Sequence, residues 1–310
     1  MTKLGTSSLD VSRLCLGGNV FGWTADEETS FAVLDGYTSA GGNFVDTADS
    51  YSQWAEGHTG GESETIIGKW LKTRGNRDAI IIATKVGMLN GLDNLKPATI
   101  ERAAEDSLRR LDVDHIDLYY AHQDDENTPQ EETLAAFDRL VTSGKVRYIA
   151  ASNYTADRLT SALTVSEREG FAKFVALQQE YNLVNRTYEG ELSQAVATHN
   201  LSSAPYWGLA KGFLTGKYRP GVTVESARAA AASKYLDDRG LRVLKALDGI
   251  AETHNTTQAA VALAWLAEQP TVAAPIASAR TTAQLADLLP ALDLDLKADE
   301  ITALTTASQV

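Results

Sequence analysis

Four polar side chains of the kinds that move protons lie in the first half of the chain. Asp46, Lys85 and His122 each close one of three successive strand-like apolar runs, and Tyr51 follows Asp46 by five residues. Taken singly, each has a structural interpretation: a turn-forming Asp, a Lys whose stem reaches water, a hydrogen-bonded His, an amphipathic Tyr. Those interpretations do not predict a shared position at strand ends. The pattern therefore favours one catalytic cluster.

This set of groups is suited to protonating a carbonyl oxygen. A free tyrosine has a pKa of about 10, and we expect the Lys85 ammonium to lower the pKa of Tyr51 while Asp46 holds that ammonium in place. A neutral His122 could donate a hydrogen bond to the substrate oxygen. The sequence has no Gly-x-Ser-x-Gly, no His-Glu-x-x-His and a single cysteine, Cys15, so no nucleophile and no metal site are predicted. The electron pair must then come from a cofactor.

The elements that would position these groups alternate between strand and helix. The predicted strands are Arg13–Leu16, Asn43–Asp46, Ala79–Thr84, Ile116–Tyr120, Val146–Ala151, Phe174–Gln178, Leu201–Trp207 and Val272–Ile276. The predicted helices are Glu27–Ala40, Glu62–Thr73, Pro97–Leu111, Gln130–Thr142, Thr155–Arg168, Gly190–His199, Thr257–Glu268 and Thr281–Leu289. This order predicts an α/β fold, a single-domain (β/α)8 barrel over residues 1–310 with its site at the carboxyl ends of the strands. A doubly wound sheet is the alternative.

One segment interrupts the alternation between strand seven and helix seven. Ala210–Thr256 contains a predicted loop, Gly212–Val224, and an inserted helix, Leu236–Ala251. A long loop on the functional face of a barrel typically covers or binds a ligand. No Gly-x-Gly-x-x-Gly follows a strand, but Arg280 directly precedes the last predicted helix, and an Arg beside a helix N-terminus is a phosphate site.

Composition excludes several classes of protein. The 310 residues carry 28 Lys and Arg against 41 Asp and Glu, a net charge of −13, which argues against nucleic acid or an anionic membrane as partner. The longest apolar run, Ala259–Ala267, is far below the roughly 20 residues of a membrane span. The N-terminal sequence lacks the apolar stretch of a signal peptide. We expect a cytoplasmic protein without a disulfide.

Six stretches together resemble the aldo-keto reductase superfamily over nearly the whole chain. They are Phe44–Tyr51 (FVDTADSY), Thr84-Lys85, Ile116–His122 (IDLYYAH), Gly144–Tyr154 (GKVRYIAASNY), Leu177–Leu183 (LQQEYNL) and Gly212–Tyr218 (GFLTGKY). The resemblance implies a (β/α)8 barrel that binds NADP(H) without a Rossmann domain. It also implies a catalytic tetrad of Asp46, Tyr51, Lys85 and His122, with Tyr51 as the general acid.

The same resemblance implies the cofactor contacts. The nicotinamide carboxamide would be held by Ser152, Asn153 and Gln178, its ring stacked on Tyr206, and its near side approached by Gly18, Asn19 and Asp46. The pyrophosphate loop would be Trp207, Gly208, Leu209, Ala210 and Lys217, and the adenosine 2′-phosphate site Ser278, Arg280 and Gln284. Two departures from the family pattern stand out: Trp207-Gly208 replaces the common Ser-Pro, and Asp287-Leu288 replaces Glu-Asn.

These observations predict an NADPH-dependent enzyme that reduces an aldehyde or ketone. The substrate pocket would include Tyr51, Trp54, His122 and Trp207, with Trp23 and Tyr206 as further candidates, although the tryptophans could equally be packing residues. Two alternatives remain open from the sequence. One is a redox-sensing NADP(H)-binding subunit, as in potassium-channel β subunits. The other is aldol chemistry through a Schiff base on Lys85.

Overall fold

Parallel strands form a closed ring at the centre of the molecule, as predicted. The computed structural model describes residues 1–226 and 228–309, and its strands are β1 (Thr2–Lys3), β2 (Asp10–Val11), β3 (Cys15–Gly17), β4 (Phe44–Asp46), β5 (Ile81–Val86), β6 (Ile116–Ala121), β7 (Val146–Ser152), β8 (Phe174–Gln178), β9 (Ser202–Ser203) and β10 (Ile276–Ala277). In that part of the chain, β3 to β10 make one eight-stranded parallel sheet in chain order, in which β10 also pairs with β3. A parallel bridge between Ser203 and Val272 closes the ring. The fold is a (β/α)8 barrel.

Helices surround the ring. They are α1 (Glu27–Ser39), α2 (Glu62–Arg74), α3 (Pro97–Leu111), α4 (Gln130–Thr142), α5 (Ala156–Glu169), α6 (Glu191–Thr198), α7 (Ala229–Ala232), α8 (Asp238–Thr253), α9 (Gln258–Ala267), α10 (Thr282–Leu288) and α11 (Ala298–Ala307). The predicted bounds of α3, α4 and β8 are confirmed to the residue. In α3 the reason is local: Pro97 occupies the first turn, and the helix ends at Asp112 in the left-handed conformation, with φ of 54°.

The pleat of the strands decides which side chains enter the barrel. Ala83 packs in the inner apolar cluster, so Lys85, two residues on, points the same way, while Thr84 between them faces α2 and donates to Glu64. Phe44 and Asp46 share the inner side of β4 in the same manner. The alternation therefore brings Asp46 and Lys85 together inside the carboxyl end of the ring.

The opposite end of the barrel is covered by a feature that the sequence did not indicate. β1 and β2 form an antiparallel hairpin, from which Leu4, Leu9 and Val11 pack into the inner cluster. Strands of two residues leave no periodic signal in the sequence. The barrel is thus sealed at this end, and its open end is the one that carries the polar groups.

Some predicted bounds are wrong. Strand seven was predicted over Leu201–Trp207, but the regular strand is only Ser202–Ser203. Beyond it the N–H groups of Ala204 and Tyr206 still donate to the carbonyl oxygens of Leu177 and Gln179, whereas Pro205 has no N–H to donate on the side facing β10. Ala79 belongs to a 3-10 turn, Arg77–Ala79, and not to a strand. The predicted loop Gly212–Val224 begins instead within a kinked 3-10 segment, Ala210–Thr215, and the inserted helix is α8. The C-terminal helix α11 was not predicted.

Within residues 1–226 and 228–309, the helices are all too short or too polar to cross a bilayer.

Candidate active site

Three of the predicted catalytic groups form one hydrogen-bonded cluster. The Lys85 Nζ donates to Asp46 Oδ2 at 2.7 Å, to the Thr47 carbonyl oxygen at 2.7 Å and to the Tyr51 hydroxyl at 2.8 Å. The Tyr51 hydroxyl in turn donates to Asp46 Oδ2 at 3.1 Å. All three N–H bonds of the ammonium are therefore engaged, and the phenol is fixed at the floor of the open end.

Burial sets the protonation states of this cluster. Desolvation lowers the pKa of Lys85, against the attraction of Asp46, and desolvation together with the Asp46 carboxylate raises the pKa of Tyr51 well above its ordinary value. The net pKa of Tyr51 in this state is therefore raised, because burial, and next the Asp46 carboxylate, disfavour the phenolate; the lowering expected from Lys85 stays a prediction. Burial, and next the charge of Lys85, lower the pKa of His122. That imidazole is neutral at pH 7 and able to donate.

Amide side chains connect the cluster to the neighbouring strands. Gln178, at the end of β8, donates to Asp46 Oδ1 at 2.9 Å. Asn153, just after β7, donates to the His122 carbonyl oxygen at 2.9 Å and accepts from the Tyr206 hydroxyl at 2.8 Å. The Asn153 N–H also donates to the Gln178 carbonyl oxygen at 3.2 Å, so residues at the ends of five strands, β4 to β8, are in one network.

The cluster opens into a large cavity of about 1030 Å³. Most predicted site residues line it: Asn19, Asp46, Tyr51, Trp54, His122, Ser152, Asn153, Gln178, Tyr206, Trp207, Gly208, Leu209, Lys217, Ser278, Arg280 and Gln284. Lys85, Gly18 and Ala210 lie behind the wall. Lys85 is fully buried beneath Tyr51, Gly18 donates its N–H to the Asp46 carbonyl, and Ala210 is buried in the core.

Cations converge at the end of the cavity next to α10. Lys217, Arg228 and Arg280 all line it, and Arg280 lowers the pKa of both Lys217 and Arg228, in addition to the effect of burial. In the described part of the chain, none of these three side chains is in an ion pair. Cations that repel one another and are in no ion pair fit a ligand with several phosphate charges. Arg228 was missed by sequence reasoning, since it lies in the insertion outside any recognised motif.

The other end of the cavity is aromatic. The Trp23 and Trp54 rings meet edge to face with centroids 5.5 Å apart, and Tyr51 lies 6.2 Å from Trp54. Across the cavity, the Tyr206 and Trp207 centroids are 5.2 Å apart. The substrate-pocket prediction for these residues stays a prediction, but all of them line the cavity.

The segment that carries Trp207 has an unusual backbone. Trp207, Ala210 and Lys211 have φ of 53°, 48° and 59°, in the left-handed region that costs non-glycine residues energy. Asn182 Nδ2 donates to the Trp207 carbonyl oxygen at 3.0 Å and fixes the turn. This chain has Gly208 where the aldo-keto reductase pattern commonly has a proline. The hydrogen bond from Asn182 restrains the turn in place of that proline.

Behind the cluster lies a second set of buried charges. Glu64 is fully buried, accepts from Thr84 Oγ1 at 2.5 Å and accepts from Arg110 Nε at 2.6 Å. Asp49 is also fully buried, and in the described residues no other side chain donates to its carboxylate. Desolvation, and next the charge of Glu64, raise the pKa of Asp49 well above its ordinary value. This carboxyl group belongs to the loop that carries Tyr51.

This barrel, with its Asp-Tyr-Lys-His site, defines the class of protein. The chain belongs to the aldo/keto reductase family, whose family model matches residues 13–309. It is 36% identical to the uncharacterized oxidoreductase YrpG of Bacillus subtilis, over 95% of this chain and 91% of that protein. It is 30% identical to norsolorinic acid reductase stcV of Emericella nidulans, over 95% and 78%. It is 31% identical to a probable voltage-gated potassium channel subunit beta of Arabidopsis thaliana, over 94% and 90%. The family and these relatives support an oxidoreductase.

Proposed function

We propose that the protein is an NADPH-dependent reductase that converts an aldehyde or ketone to an alcohol. The observation that carries the proposal is the Tyr51 hydroxyl, held by Lys85 at 2.8 Å and Asp46 at 3.1 Å at the floor of the cavity. A positioned acid beside an engaged ammonium is suited to protonating a substrate oxygen.

Each residue of the cluster has a role in this proposal. The nicotinamide, when bound, supplies the hydride. Tyr51 gives its proton to the carbonyl oxygen, and Lys85 stabilises the phenolate that remains. Asp46 keeps the buried ammonium charged and in place, and neutral His122 donates to the same substrate oxygen. Positioning and donors aimed at the developing alkoxide supply most of the acceleration.

The proposed cofactor is NADP(H) and not NAD(H). Its phosphates would be held by Lys217, Arg228 and Arg280, whose charges have no carboxylate partner in the described residues. Ser152, Asn153 and Gln178 would hold the carboxamide. A cytoplasmic location, a small carbonyl compound as the partner and a single domain over residues 1–310 are parts of the same proposal.

The test is NADPH oxidation at neutral pH with 4-nitrobenzaldehyde, compared with NADH under the same conditions. We expect steady turnover with NADPH and a clearly lower kcat/KM for NADH. Binding of NADPH without turnover of any aldehyde would contradict the enzyme proposal.

A second candidate function is a redox-sensing NADP(H)-binding subunit with little turnover. What favours it is the similarity to probable potassium channel β subunits from Arabidopsis thaliana and rice, at 31% and 32% identity. The two candidates differ in rate. Single-turnover oxidation of bound NADPH that is complete within seconds would support the enzyme, whereas a half-time of many minutes would support the sensor.

A further inference from the structure

The first turn of α2 places two buried polar side chains against the segments that hold Lys85. Ser63 and Glu64 are fully buried, and neither lines the cavity. The packing of the helix does not require them, because α2 also buries four large apolar side chains, Ile66, Ile67, Trp70 and Leu71. Burying a hydroxyl or a carboxylate costs free energy unless it is hydrogen-bonded, so the partners of these two residues indicate what they do.

Ser63 connects the segments that follow β3 and β4. Its hydroxyl accepts a hydrogen bond from Thr47 Oγ1 at 2.8 Å and donates to the Gly18 carbonyl oxygen at 2.8 Å. The Gly18 N–H in turn donates to the Asp46 carbonyl oxygen at 2.7 Å. A Cβ on Gly18 would lie 2.8 Å from Ser63 Oγ, so glycine at this position allows the close approach of the two segments.

These hydrogen bonds close a circuit that includes the ammonium of Lys85. The Lys85 Nζ donates to Asp46 Oδ2 and to the Thr47 carbonyl oxygen, each at 2.7 Å. Thr47 therefore contacts Lys85 through its carbonyl and Ser63 through its side chain, while its N–H donates to the Ala83 carbonyl oxygen at 2.8 Å. Because Ser63 fixes the Thr47 side chain, it helps to fix the direction of the carbonyl that accepts from the ammonium.

Glu64 contacts the strand that carries Lys85. Its carboxylate accepts from Thr84 Oγ1 at 2.5 Å and from Arg110 Nε at 2.6 Å, and Thr84 directly precedes Lys85. Successive side chains of a helix point about 100° apart, as 3.6 residues per turn require. Neighbouring residues of α2 can therefore contact the segment after β4 and the strand β5 at the same time.

We propose that Ser63 is a positioning residue for the proton transfer, and that it acts through Thr47 to orient the Lys85 ammonium toward the Tyr51 hydroxyl. Without the Ser63 hydroxyl, the Thr47 carbonyl is free to turn, and one N–H of a buried ammonium loses its acceptor. The ammonium then stabilises the Tyr51 phenolate less well as the proton leaves. This inference rests on the proposed function, because it concerns the acid of the same reaction.

The experiment removes the hydrogen bond between Thr47 and Ser63 from each side. Thr47→Val keeps the shape and loses the hydroxyl, Thr47→Ser keeps the hydroxyl and loses the methyl group, and Ser63→Ala removes the acceptor. Thr133→Val is the matched control, because Thr133 is buried, donates to the Leu95 carbonyl oxygen at 3.1 Å and does not line the cavity. For each variant, kcat and KM for 4-nitrobenzaldehyde are measured at saturating NADPH, and fluorescence quenching gives the dissociation constant for NADPH.

We expect Thr47→Val and Ser63→Ala each to lower kcat about tenfold, since a misplacement of about 1 Å can cost about 10²-fold. KM and the dissociation constant for NADPH should stay near their wild-type values, because the lost interaction acts in the transition state. Thr47→Ser and Thr133→Val should keep nearly the wild-type kcat. The double variant with Thr47→Val and Ser63→Ala should lose no more than either single variant, because both act through one hydrogen bond.

The Tyr51→Phe background separates this role from a general effect on structure. Without the phenol there is no phenolate for Lys85 to stabilise, so adding Thr47→Val should leave the residual single-turnover rate of Tyr51→Phe nearly unchanged. An equal loss from Thr47→Val with and without the phenol would overturn the inference.

Three further results would overturn the inference while leaving the proposed function intact. The first is a wild-type kcat in both Thr47→Val and Ser63→Ala. The second is a loss in Thr47→Ser as large as that in Thr47→Val, since the methyl group and not the hydroxyl would then be needed. The third is loss of NADPH binding in both hydroxyl-deleting variants, which would assign the network to the fold alone. A wild type that binds NADPH and reduces no aldehyde would instead overturn both proposals.

Discussion

The Tyr51 hydroxyl is a poor acid at rest and a suitable one in the proposed reaction. Its proton lies toward the Asp46 carboxylate, which together with burial raises the pKa of Tyr51. As negative charge develops on a substrate oxygen, that oxygen competes with Asp46 for the proton, and the Lys85 ammonium 2.8 Å away stabilises the phenolate. Without substrate, the Asp46 carboxylate thus opposes proton loss from Tyr51. During turnover, the Lys85 ammonium of the same ion pair supports that proton loss.

Tyr51→Phe is expected to lower kcat/KM by about 10²–10⁴-fold, the usual contribution of a general acid. Because the ring is kept, NADPH should bind with nearly the wild-type dissociation constant, which quenching of protein fluorescence would measure. If the variant turned over at the wild-type rate, Tyr51 would not be the acid.

Asp49 leads to a prediction about stability and pH. Burial, and next the charge of Glu64, raise the pKa of Asp49 in the folded protein, so the folded state holds this proton to a higher pH than the unfolded chain, where the ordinary pKa is about 3.9. Its contribution to stability is therefore greatest below that pH, and is lost as pH rises toward the folded pKa. Asn has a similar shape and no proton to lose, so the stability of Asp49→Asn relative to the wild type should increase as pH rises above about 4.

Urea unfolding at pH 5, 6 and 7 would measure this difference, which should grow with pH. Asp93→Asn is the matched control, because Asp93 is exposed and lies outside the cavity. A difference that does not vary with pH, or a variant less stable throughout, would show that Asp49 is ionised in the folded state.

At the scale of elements, the insertion between β9 and α9 completes the phosphate end of the cavity. Arg228 comes from this insertion, next to α7, whereas Arg280 directly precedes α10. The two guanidinium groups repel each other, which burial strengthens. A bound phosphate would relieve that repulsion, so we expect ligand binding to hold the insertion more firmly against the barrel.

Arg228→Gln is expected to raise the dissociation constant for NADPH about tenfold and to affect NADH less. It should also weaken the salt dependence of NADPH binding, because one charge contact is lost. Arg242→Gln is the matched control: Arg242 is an exposed residue of α8 in the same insertion and contacts the Gln309 carbonyl. Equal losses for both nucleotides would contradict a phosphate contact.

The elements that sequence reasoning located best have strong local signals. Pro97 in the first turn and the apolar residues of α3 at helical spacing predict that helix from the local sequence alone. The hairpin of β1 and β2 and the helix α11 lack such signals: the first is too short, and in the second Leu304 is the one buried residue among those described. The length of strand seven was overestimated because the prediction followed the apolar run and gave no weight to Pro205, which is visible in the sequence and cannot donate a ladder hydrogen bond.

The site shows the same division. Asp46, Tyr51, Lys85 and His122 were found because strand ends in a barrel share one face, a rule that needs no distances. Arg228 was missed because its partner in space, Arg280, becomes a neighbour only after the insertion folds over the barrel. The net rise in the pKa of Tyr51 could not be predicted from the sequence, since the burial of the phenol and the direction of its hydroxyl toward Asp46 depend on three-dimensional geometry.

At the scale of the whole molecule, the cavity connects elements from both ends of the chain, from Gly17 at the end of β3 to Leu288 in α10. A ligand that fills it joins β3, the insertion and α10, so binding should stabilise the entire fold. At about 100 times its dissociation constant, a ligand adds about 2.7 kcal/mol, which in a protein of this size raises the melting temperature by about 5 °C.

NADPH should therefore raise the melting temperature of the wild type and of Tyr51→Phe equally, and that of Arg228→Gln less. Differential scanning fluorimetry at fixed NADPH concentration would measure all three. A wild type that melts at the same temperature with and without NADPH would contradict the assignment of the cavity to this cofactor.

The order in which the site is assembled follows from the same span. Synthesis releases the chain from its N-terminus, so Asp46, Tyr51, Lys85 and His122 leave the ribosome long before Arg280, and before β10 can pair with β3 to close the ring. Until β10 pairs with β3, the sheet cannot close into a ring, and the strands at its two edges each lack one neighbour. A nucleotide that needs both ends of the cavity cannot assist any earlier stage of folding. The nucleotide can therefore bind only fully folded molecules and not incompletely folded ones.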